Sequence, residues 1–286
     1  MNRRTFLKLA AAGGVAAMGA RSVHGLGLSP DCLELVRVKL DRPTWPKSFH
    51  GLKIAFLSDI HYGGGGGVGS ALVLRSIEMA QAERPDVFCF GGDLITGWGE
   101  RGSLADLVSM VRDVTAPLGA YAVLGNHEFN WGERDVMREF DRTGVRLLRN
   151  ETIFLERGPG RIPLTGLDNM FNLTWREVRR QMESLEDHPG AIVLEHTPDL
   201  APMLPDSFHG TLLAGHTHGG QIILPFVRQA MTASRFGLKY VAGLYPAGRG
   251  AMYITRGVGA VLVPMRIGCP PEVTIIEFSV AGQERA

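Results

Sequence analysis

Few cysteines and no long uninterrupted apolar run limit the classes of protein that this sequence can encode. Three cysteines occur in 286 residues, and an odd count argues against a disulfide framework. The apolar neighbours of Cys89 are typical of a buried strand. Cys32 and Cys269 remain as a pair that could form one bond outside the cytoplasm. The apolar stretch near the N-terminus is short and interrupted by glycine, so it does not predict a membrane span.

Acidic residues are also missing from one long segment. Between Ser207 and Pro271 there is no aspartate or glutamate, although the same segment contains Arg228, Arg235, Lys239, Arg249, Arg256 and Arg266. A field of one sign favours an anionic ligand, and the alternative is that these cations pair with acids elsewhere in the fold. Within this segment, the apolar stretch 222–241 is either a substrate lid or membrane-facing edge, or an excursion packed on the core.

The first 25 residues predict an export signal rather than a part of the fold. Arg3 and Arg4 precede an apolar stretch rich in alanine and glycine that ends near Ala20, as in a twin-arginine (Tat) leader. Cleavage could follow Ala20 or Gly25, and an uncleaved start is the alternative. We therefore expect the Tat export machinery as a partner, and a location in the periplasm or on the outer face of the cell membrane.

Residues 26–286 are expected to form one domain of the α/β class. Apolar content of 45% and charged content of 21% are typical of a globular protein, and no internal repeat interrupts the chain. Helices are predicted at 70–82, 103–114, 133–143 and 174–185, the last capped by Thr174 with Glu177 three positions later. Strands are predicted at 33–40, 53–57, 86–90, 120–124, 145–148, 152–156, 162–167, 191–194, 211–214, 221–224, 251–255 and 273–278.

Short polar motifs follow five of these predicted strands. The motifs are Asp59-Ile60-His61, Gly91-Gly92-Asp93, Gly125-Asn126-His127-Glu128, Glu195-His196 and Gly215-His216-Thr217-His218-Gly219-Gly220. A stable core needs none of these polar side chains. Strands that end together bring their following loops together, so these residues can converge on one rim. Carboxylates neutralise cations and imidazoles supply nitrogen donors. The set therefore predicts a hydrolase with two adjacent metal ions.

The ordered motifs resemble those of the calcineurin-like metallophosphoesterase superfamily. The resemblance runs from about Lys53 to about Gln221, and the chain to about Phe278 is compatible with it. Each motif alone is weak, whereas all five in order are specific. The chain is most similar to an exported bacterial branch with a twin-arginine leader, some of whose members are phosphodiesterases. The fold implied is an α/β/β/α sandwich of two mixed sheets flanked by helices.

The resemblance also implies residue roles. The first metal ion is bound by Asp59, His61 and His218, the second by Asn126, His196 and His216, and Asp93 bridges both. A metal-bridging hydroxide would attack phosphorus in line, while His127 stabilises the transition-state oxygen or protonates the leaving group and Glu128 supports the site. The mixed oxygen and nitrogen donors suit two divalent ions such as Mn, Fe or Zn.

Other functions are compatible with the same motifs. The substrate would be a small-molecule or lipid-linked phosphate ester, with contact to a membrane surface left open and no specific protein partner inferred. One alternative is a UDP-2,3-diacylglucosamine pyrophosphatase-like hydrolase of lipid A biosynthesis, against which the export leader counts. Another is a non-catalytic metal-binding interaction protein, against which the complete ligand set counts.

The leader yields a direct test. Changing Arg3 and Arg4 together to lysine should keep the protein in the cytoplasm at precursor length, because Tat recognition depends on the arginine pair rather than on positive charge alone. Fractionation followed by immunoblotting measures the location. Undiminished delivery of the double lysine variant would contradict the prediction.

Overall fold

The computed structural model describes residues 30–63, 68–96, 102–169, 173–185, 187–188, 190–223 and 232–280. The expected leader, with Arg3 and Arg4, lies outside these residues, and so does the boundary predicted at residues 25 and 26. Within the described part of the chain, no helix is both long and apolar enough to cross a membrane.

Twelve strands and five helices are formed by the described residues. The strands are β1 (Glu34–Arg42), β2 (Leu52–Leu57), β3 (Val87–Phe90), β4 (Ala120–Ala122), β5 (Val145–Leu147), β6 (Glu151–Arg157), β7 (Gly160–Gly166), β8 (Ile192–Leu194), β9 (Thr211–Ala214), β10 (Gly243–Ala247), β11 (Gly250–Ile254) and β12 (Glu272–Val280). The helices are α1 (Ser70–Ala82), α2 (Gly102–Val111), α3 (Asn126–Trp131), α4 (Glu133–Phe140) and α5 (Trp175–Glu183).

The strands form two mixed six-stranded sheets. The first has the order β1-β12-β2-β3-β4-β5, and the second has the order β10-β11-β9-β8-β7-β6. In the first sheet β2, β3, β4 and β5 are parallel neighbours, while β12 is antiparallel to β2. In the second sheet β7, β8, β9 and β11 are parallel, and β6 and β10 are antiparallel edges.

Alternating side chains of β2 show how the layers are built. Ile54 and Phe56 point into a core shared with strands of the second sheet, whereas Ala55 and Leu57 contact the cluster that includes helix α1. This alternation follows from the two-residue period of a strand. Helix α5 covers the outer face of the second sheet. The result is the α/β/β/α sandwich that the resemblance implied.

Parallel strands bring the predicted motifs to one rim. Strands β2, β3 and β4 all end at the same edge of the first sheet, and β8 and β9 end together in the second. Each motif begins within four residues of the end of its strand. The fold therefore positions polar loops from two sheets opposite each other.

Most predicted elements are present, with ends shifted by a few residues. The helix predicted at 70–82 has those bounds, and Thr174 and Glu177 form the predicted capping box of α5. The predicted strand 120–124 ends earlier, at Ala122. Helix α3 begins at Asn126 and was not predicted.

Two other regions differ from the sequence prediction. The predicted strand 221–224 forms only a single bridge, between Ile222 and Ile267, because Gln221 has a positive φ of 47° that breaks extended backbone; residue 224 lies outside the described residues. Strand β10 was missed because it contains Pro246, which is tolerated at a sheet edge. All three cysteines are free thiols, so Cys32 and Cys269 do not pair in this structure.

Candidate metal centre

The loop after β2 supplies the first two candidate ligands. Asp59 and His61 are fully buried, and the Asp59 carboxylate accepts the backbone N–H of His216 at 2.9 and 3.0 Å. This bond connects the first sheet to the motif after β9. The Nε2 atom of His61 lies 3.0 Å from Nε2 of His218, and Nε2 of His218 lies 3.5 Å from the Asp59 carboxylate. Asp59, His61 and His218 form a group that could hold one cation.

Asp93 stands between this group and a second one. Its Oδ2 atom is 3.7 Å from Nε2 of His61 and 3.1 Å from Nε2 of His196. Asp93, His196 and His216 form a second group of possible ligands, and Nδ1 of His216 lies 3.1 Å from Nε2 of His196. The Asp93 carboxylate thus lies between the two groups, and its role as the bridge, which the resemblance implied, stays a prediction.

Backbone contacts orient His196 toward Asp93. Its Nδ1 atom donates to the carbonyl oxygen of Gly91 at 2.8 Å, which leaves Nε2 directed at the cluster. Gly92 has a φ of 88°, and a Cβ atom there would lie 2.6 Å from the Gly125 nitrogen. At Gly125 a Cβ would lie 2.2 Å from Oδ1 of Asp93. These glycines allow the loops after β3 and β4 to approach each other closely.

Glu128 joins the loops after β3 and β4. Its carboxylate accepts four backbone N–H groups, from Asp93, Leu94, Ile95 and Gly125, at 2.7–3.2 Å. Burial raises the pKa of Glu128 to about 7, and the backbone donors Ile95 and Gly125 act in the opposite direction by stabilising the ionised form. Glu128 is directed at backbone rather than at the cluster, in agreement with its predicted supporting role.

His127 lies beside the cluster with its ring edge toward His61. The two ring centroids are 4.5 Å apart at an interplanar angle of 82°, and the backbone N–H of His127 donates to Oδ1 of Asp93 at 2.8 Å. His61, Asp93 and His127 also approach closely enough to hold a cation. The prediction that His127 is not itself a metal ligand therefore needs an experimental test.

Left-handed backbone is concentrated in this site. Non-glycine residues with positive φ number nine in the described part of the chain, and five of them are candidate ligands: Asp59, His61, Asp93, His216 and His218. Such a conformation costs roughly 1 kcal/mol or more for an ordinary residue, although aspartate and histidine adopt it more readily than most. No periodicity in the sequence reveals this feature.

Burial and neighbouring charge decide the protonation of the cluster. Burial lowers the pKa of His61 to about 3 and that of His216 to about 4, so both imidazoles are neutral and have a lone pair available. Burial acts to lower the pKa of His196, but the Asp93 carboxylate outweighs it and raises this pKa to about 10. Burial raises the pKa of Asp59 to about 6. A cation would neutralise the carboxylates in place of protons.

The donor set fits divalent cations. The side-chain oxygen of Asn126 is buried and has no hydrogen-bond partner among the described residues, although a buried amide oxygen normally has one. A cation in the second group would satisfy it. Carboxylate, amide and imidazole donors together suit Mn, Fe or Zn. All eight predicted site residues are thus brought together, and their individual roles stay predictions.

Sequence reasoning missed a buried cation behind His218. The guanidinium of Arg266 is 1% exposed and donates to the carbonyl oxygens of Gly259 at 2.6 Å, Arg256 at 2.7 Å and His218 at 3.1 Å. Burial lowers the pKa of Arg266. The only sequence signal was its place in the acid-free segment. In that segment Arg256 does pair with acids, Glu34 and Glu272, as the alternative interpretation predicted.

The cluster opens into a pocket of about 410 Å³. Its polar lining consists of His61, Asp93, Asn126, His127, His216 and His218. The other lining residues are Thr217, Gly220, Gln221, Ile222, Thr232, Ala233, Val261, Leu262 and Val263. Ligands of moderate size can therefore reach the cluster from solvent.

The chain has the α/β fold typical of metallophosphatases. Two mixed sheets lie between helices, and a cluster of histidines and carboxylates lies at the strand ends. Comparison with solved structures supports this fold: a putative 5′-nucleotidase from Staphylococcus aureus superposes with a TM-score of 0.50 at 13% identity, over 82% of this chain and 56% of that one. The model of the calcineurin-like phosphoesterase family matches residues 52–224. The chain belongs to this family, and it is a hydrolase acting on phosphoric ester bonds.

Relatives span almost the whole chain. The metallophosphoesterase YkuE of Bacillus subtilis is 29% identical over 96% of both chains. The phosphodiesterase YaeI of Escherichia coli is 29% identical over 97% of this chain and 99% of its own. A transmembrane protein with metallophosphoesterase domain from Bos taurus is 31% identical over 91% of this chain, which spans 60% of that relative.

Asp93 is expected to be the residue on which metal binding depends most. Asp93→Ala should remove most bound metal and reduce kcat/KM by more than the roughly 10- to 100-fold that outer partners of metal ligands contribute, because it removes the carboxylate that lies between His61 of the first group and His196 of the second. Metal analysis and hydrolysis assays measure the two losses.

Asp86→Ala provides the matched control. Asp86 lies at the opposite end of β3, where its carboxylate accepts the backbone N–H of Lys53 at 2.8 Å. This variant should keep its metal. Two ions per chain in Asp93→Ala would show that Asp93 is not the bridge.

Proposed function

We propose that this protein is an exported phosphodiesterase that uses two divalent cations. The first would be bound by Asp59, His61 and His218, the second by Asn126, His196 and His216, with Asp93 between them. The geometric support is the position of the Asp93 carboxylate, 3.7 Å from Nε2 of His61 in the first set and 3.1 Å from Nε2 of His196 in the second, together with the unpartnered oxygen of Asn126. The name of YaeI supports the diesterase activity, and the comparisons favour neither the lipid A pyrophosphatase nor the non-catalytic alternative.

The proposed preference for diesters is based on the composition of the pocket lining. None of the described residues that line the pocket is a lysine or an arginine. A phosphate monoester carries up to two negative charges near neutral pH and one more ionisable oxygen than a diester, so a monoesterase benefits from cationic side chains around the phosphate. A diester carries a single charge, and its second substituent needs space, which the uncharged walls provide.

Bound cations would supply Lewis acidity toward the phosphoryl oxygens and would acidify water near neutral pH. The residues of this chain hold the reacting groups in place. The hydrogen bond from His196 to Gly91 fixes the orientation of its ring, and Glu128 fixes the two loops that present Asp93 and Asn126. This ordering before substrate arrives lowers the entropic cost of reaching the transition state.

His127 is the candidate for contact with the substrate. It lines the pocket, and burial lowers its pKa, so the neutral ring predominates at neutral pH. A neutral imidazole still has one N–H, which can donate to a phosphoryl oxygen or to the leaving oxygen. The twin arginines support export by the Tat route, with action in the periplasm or on the outer face of the cell membrane.

The class of ester can be tested with chromogenic substrates. After loading with Mn, Fe or Zn, kcat/KM for bis(4-nitrophenyl) phosphate should exceed that for 4-nitrophenyl phosphate at least roughly tenfold, since only the diester matches the charge of the lining. Asp93→Ala serves as the background control. A preference for the monoester with every metal would overturn the assignment as a diesterase.

His127→Asn separates catalysis from metal binding. Metal content should stay near that of the wild type, while turnover should fall roughly 100- to 10,000-fold if the residue is a general acid. The loss should shrink for a nitrophenolate leaving group, which needs little protonation. An equal loss across leaving groups would assign His127 to the phosphoryl oxygens instead. Loss of metal would make it a ligand.

A further inference from the structure

One wall of the pocket presents apolar side chains to solvent. Leu262 is 76% exposed and Val263 is 39% exposed, and both line the pocket beside Ile222 and Val261. An exposed leucine alone is common on protein surfaces. A continuous apolar wall at the mouth of a polar centre is less common, and such patches mark binding sites.

The backbone of this wall is strained. Leu262 has a φ of 63°, and the N–H of Val263 donates to the carbonyl oxygen of Val261 at 2.7 Å, which closes a γ-turn around Leu262. Gln221, with φ 47° and ψ −48°, is the centre of a similar turn closed between Ile222 and Gly220. Turns of this hand are rare and costly for residues other than glycine.

The side chain of Gln221 holds the two turns together. Its Nε2 atom donates to the carbonyl oxygens of Val261 at 3.0 Å and Val263 at 3.2 Å, and its Oε1 atom accepts the N–H of Val261 at 2.9 Å. Three hydrogen bonds thus fix the apolar wall to the residue that directly follows the last metal motif. Strain that is maintained by dedicated contacts suggests a use for the exposed leucine.

The segment that follows the lining residues Thr232 and Ala233 is also fixed to the metal loops. Ser234 and the backbone N–H of Arg235 donate to the buried carboxylate of Asp199, three residues after His196. The hydroxyl of Thr217, between His216 and His218, donates to the carbonyl oxygen of Val241. The described part of the 222–241 stretch is therefore packed on the core at these points.

We propose that the apolar wall recognises an apolar substituent on the substrate, so that the natural substrate is an amphipathic phosphodiester. The phosphate lies over the cluster, and its non-leaving apolar group lies along Ile222, Val261, Leu262 and Val263. Hydrolysis adds the oxygen of water to phosphorus and breaks the bond from phosphorus to the leaving oxygen, which takes up a proton. This inference rests on the proposed function, and it adds the class of substituent.

A series of alkyl 4-nitrophenyl phosphates tests the proposal with a constant leaving group. The methyl, butyl and octyl diesters are assayed as monomers, below their critical micelle concentrations. Each fully buried methylene is worth roughly three- to fourfold in binding, so kcat/KM should rise at least roughly tenfold from methyl to octyl even if burial is partial. Equal hydrolysis of the three esters would overturn the proposal and leave the diesterase assignment intact.

Leu262→Asn tests the contribution of the leucine side chain to substrate recognition without destabilising the fold. Asparagine tolerates a positive φ better than leucine, so the melting temperature should be unchanged or higher. The ratio of kcat/KM for the octyl ester to kcat/KM for the methyl ester should fall at least roughly fivefold. Leu74→Asn, at a 50% exposed leucine on α1 outside the pocket lining, is the matched control and should keep the preference.

Assays with vesicles distinguish recognition of the substituent in the pocket from contact of Leu262 with a lipid surface. If Leu262→Asn loses activity only on the octyl ester embedded in phosphatidylcholine vesicles, Leu262 contacts the lipid surface and the proposed recognition in the pocket is wrong. If no diester is hydrolysed at all, the proposed function is wrong. The recognition of an apolar substituent by the wall is then tested by measuring binding. Calorimetry should then show octylphosphonate binding at least roughly tenfold more tightly than methylphosphonate to the wild type but not to Leu262→Asn; equal affinities would overturn it.

Discussion

The Asp93 carboxylate is the contact through which the two sheets form one site. Oδ1 accepts a backbone N–H from the loop after β4, while Oδ2 faces His61 of the first sheet and His196 of the second. The residue is nearly fully buried, so its charge must be compensated locally by imidazole, by backbone donors and by bound cations. Gly92, Gly125 and Glu128 can be understood as the means of bringing these partners within reach of one carboxylate.

Much of the fold was predictable because it depends on local patterns. The helix at 70–82 has an apolar face, and strands such as β9 are short apolar runs that end at polar motifs. The candidate site was predictable because His196, His216 and the others follow strands that must end together. These inferences use only periodicity and the parallel arrangement of strands.

The remaining features depend on tertiary contacts that have no local pattern. Helix α3 was missed because its start is fixed by the bond from the Gly125 N–H to Glu128, within a motif interpreted only as a ligand loop. In the sequence, Arg266 cannot be distinguished from a surface arginine. Only the structure shows that it is buried and that its guanidinium donates to three carbonyl oxygens. The positive φ of Gln221 and Leu262 depends on hydrogen bonds across 40 residues of sequence. Sequence periodicity carries no information about such pairs.

The position of β12 has a consequence for how the protein is made. This strand lies between β1 and β2, and its contacts with β1 join residues up to 238 positions apart, such as Asp41 and Ser279. Pairing of such distant segments slows folding, and during synthesis β12 is the last strand of its sheet to leave the ribosome. The first sheet therefore has an unfilled gap between β1 and β2 until β12 has been synthesised. A nascent chain at that stage presents bare strand edges, so protection by a chaperone would matter most before β12 has been synthesised.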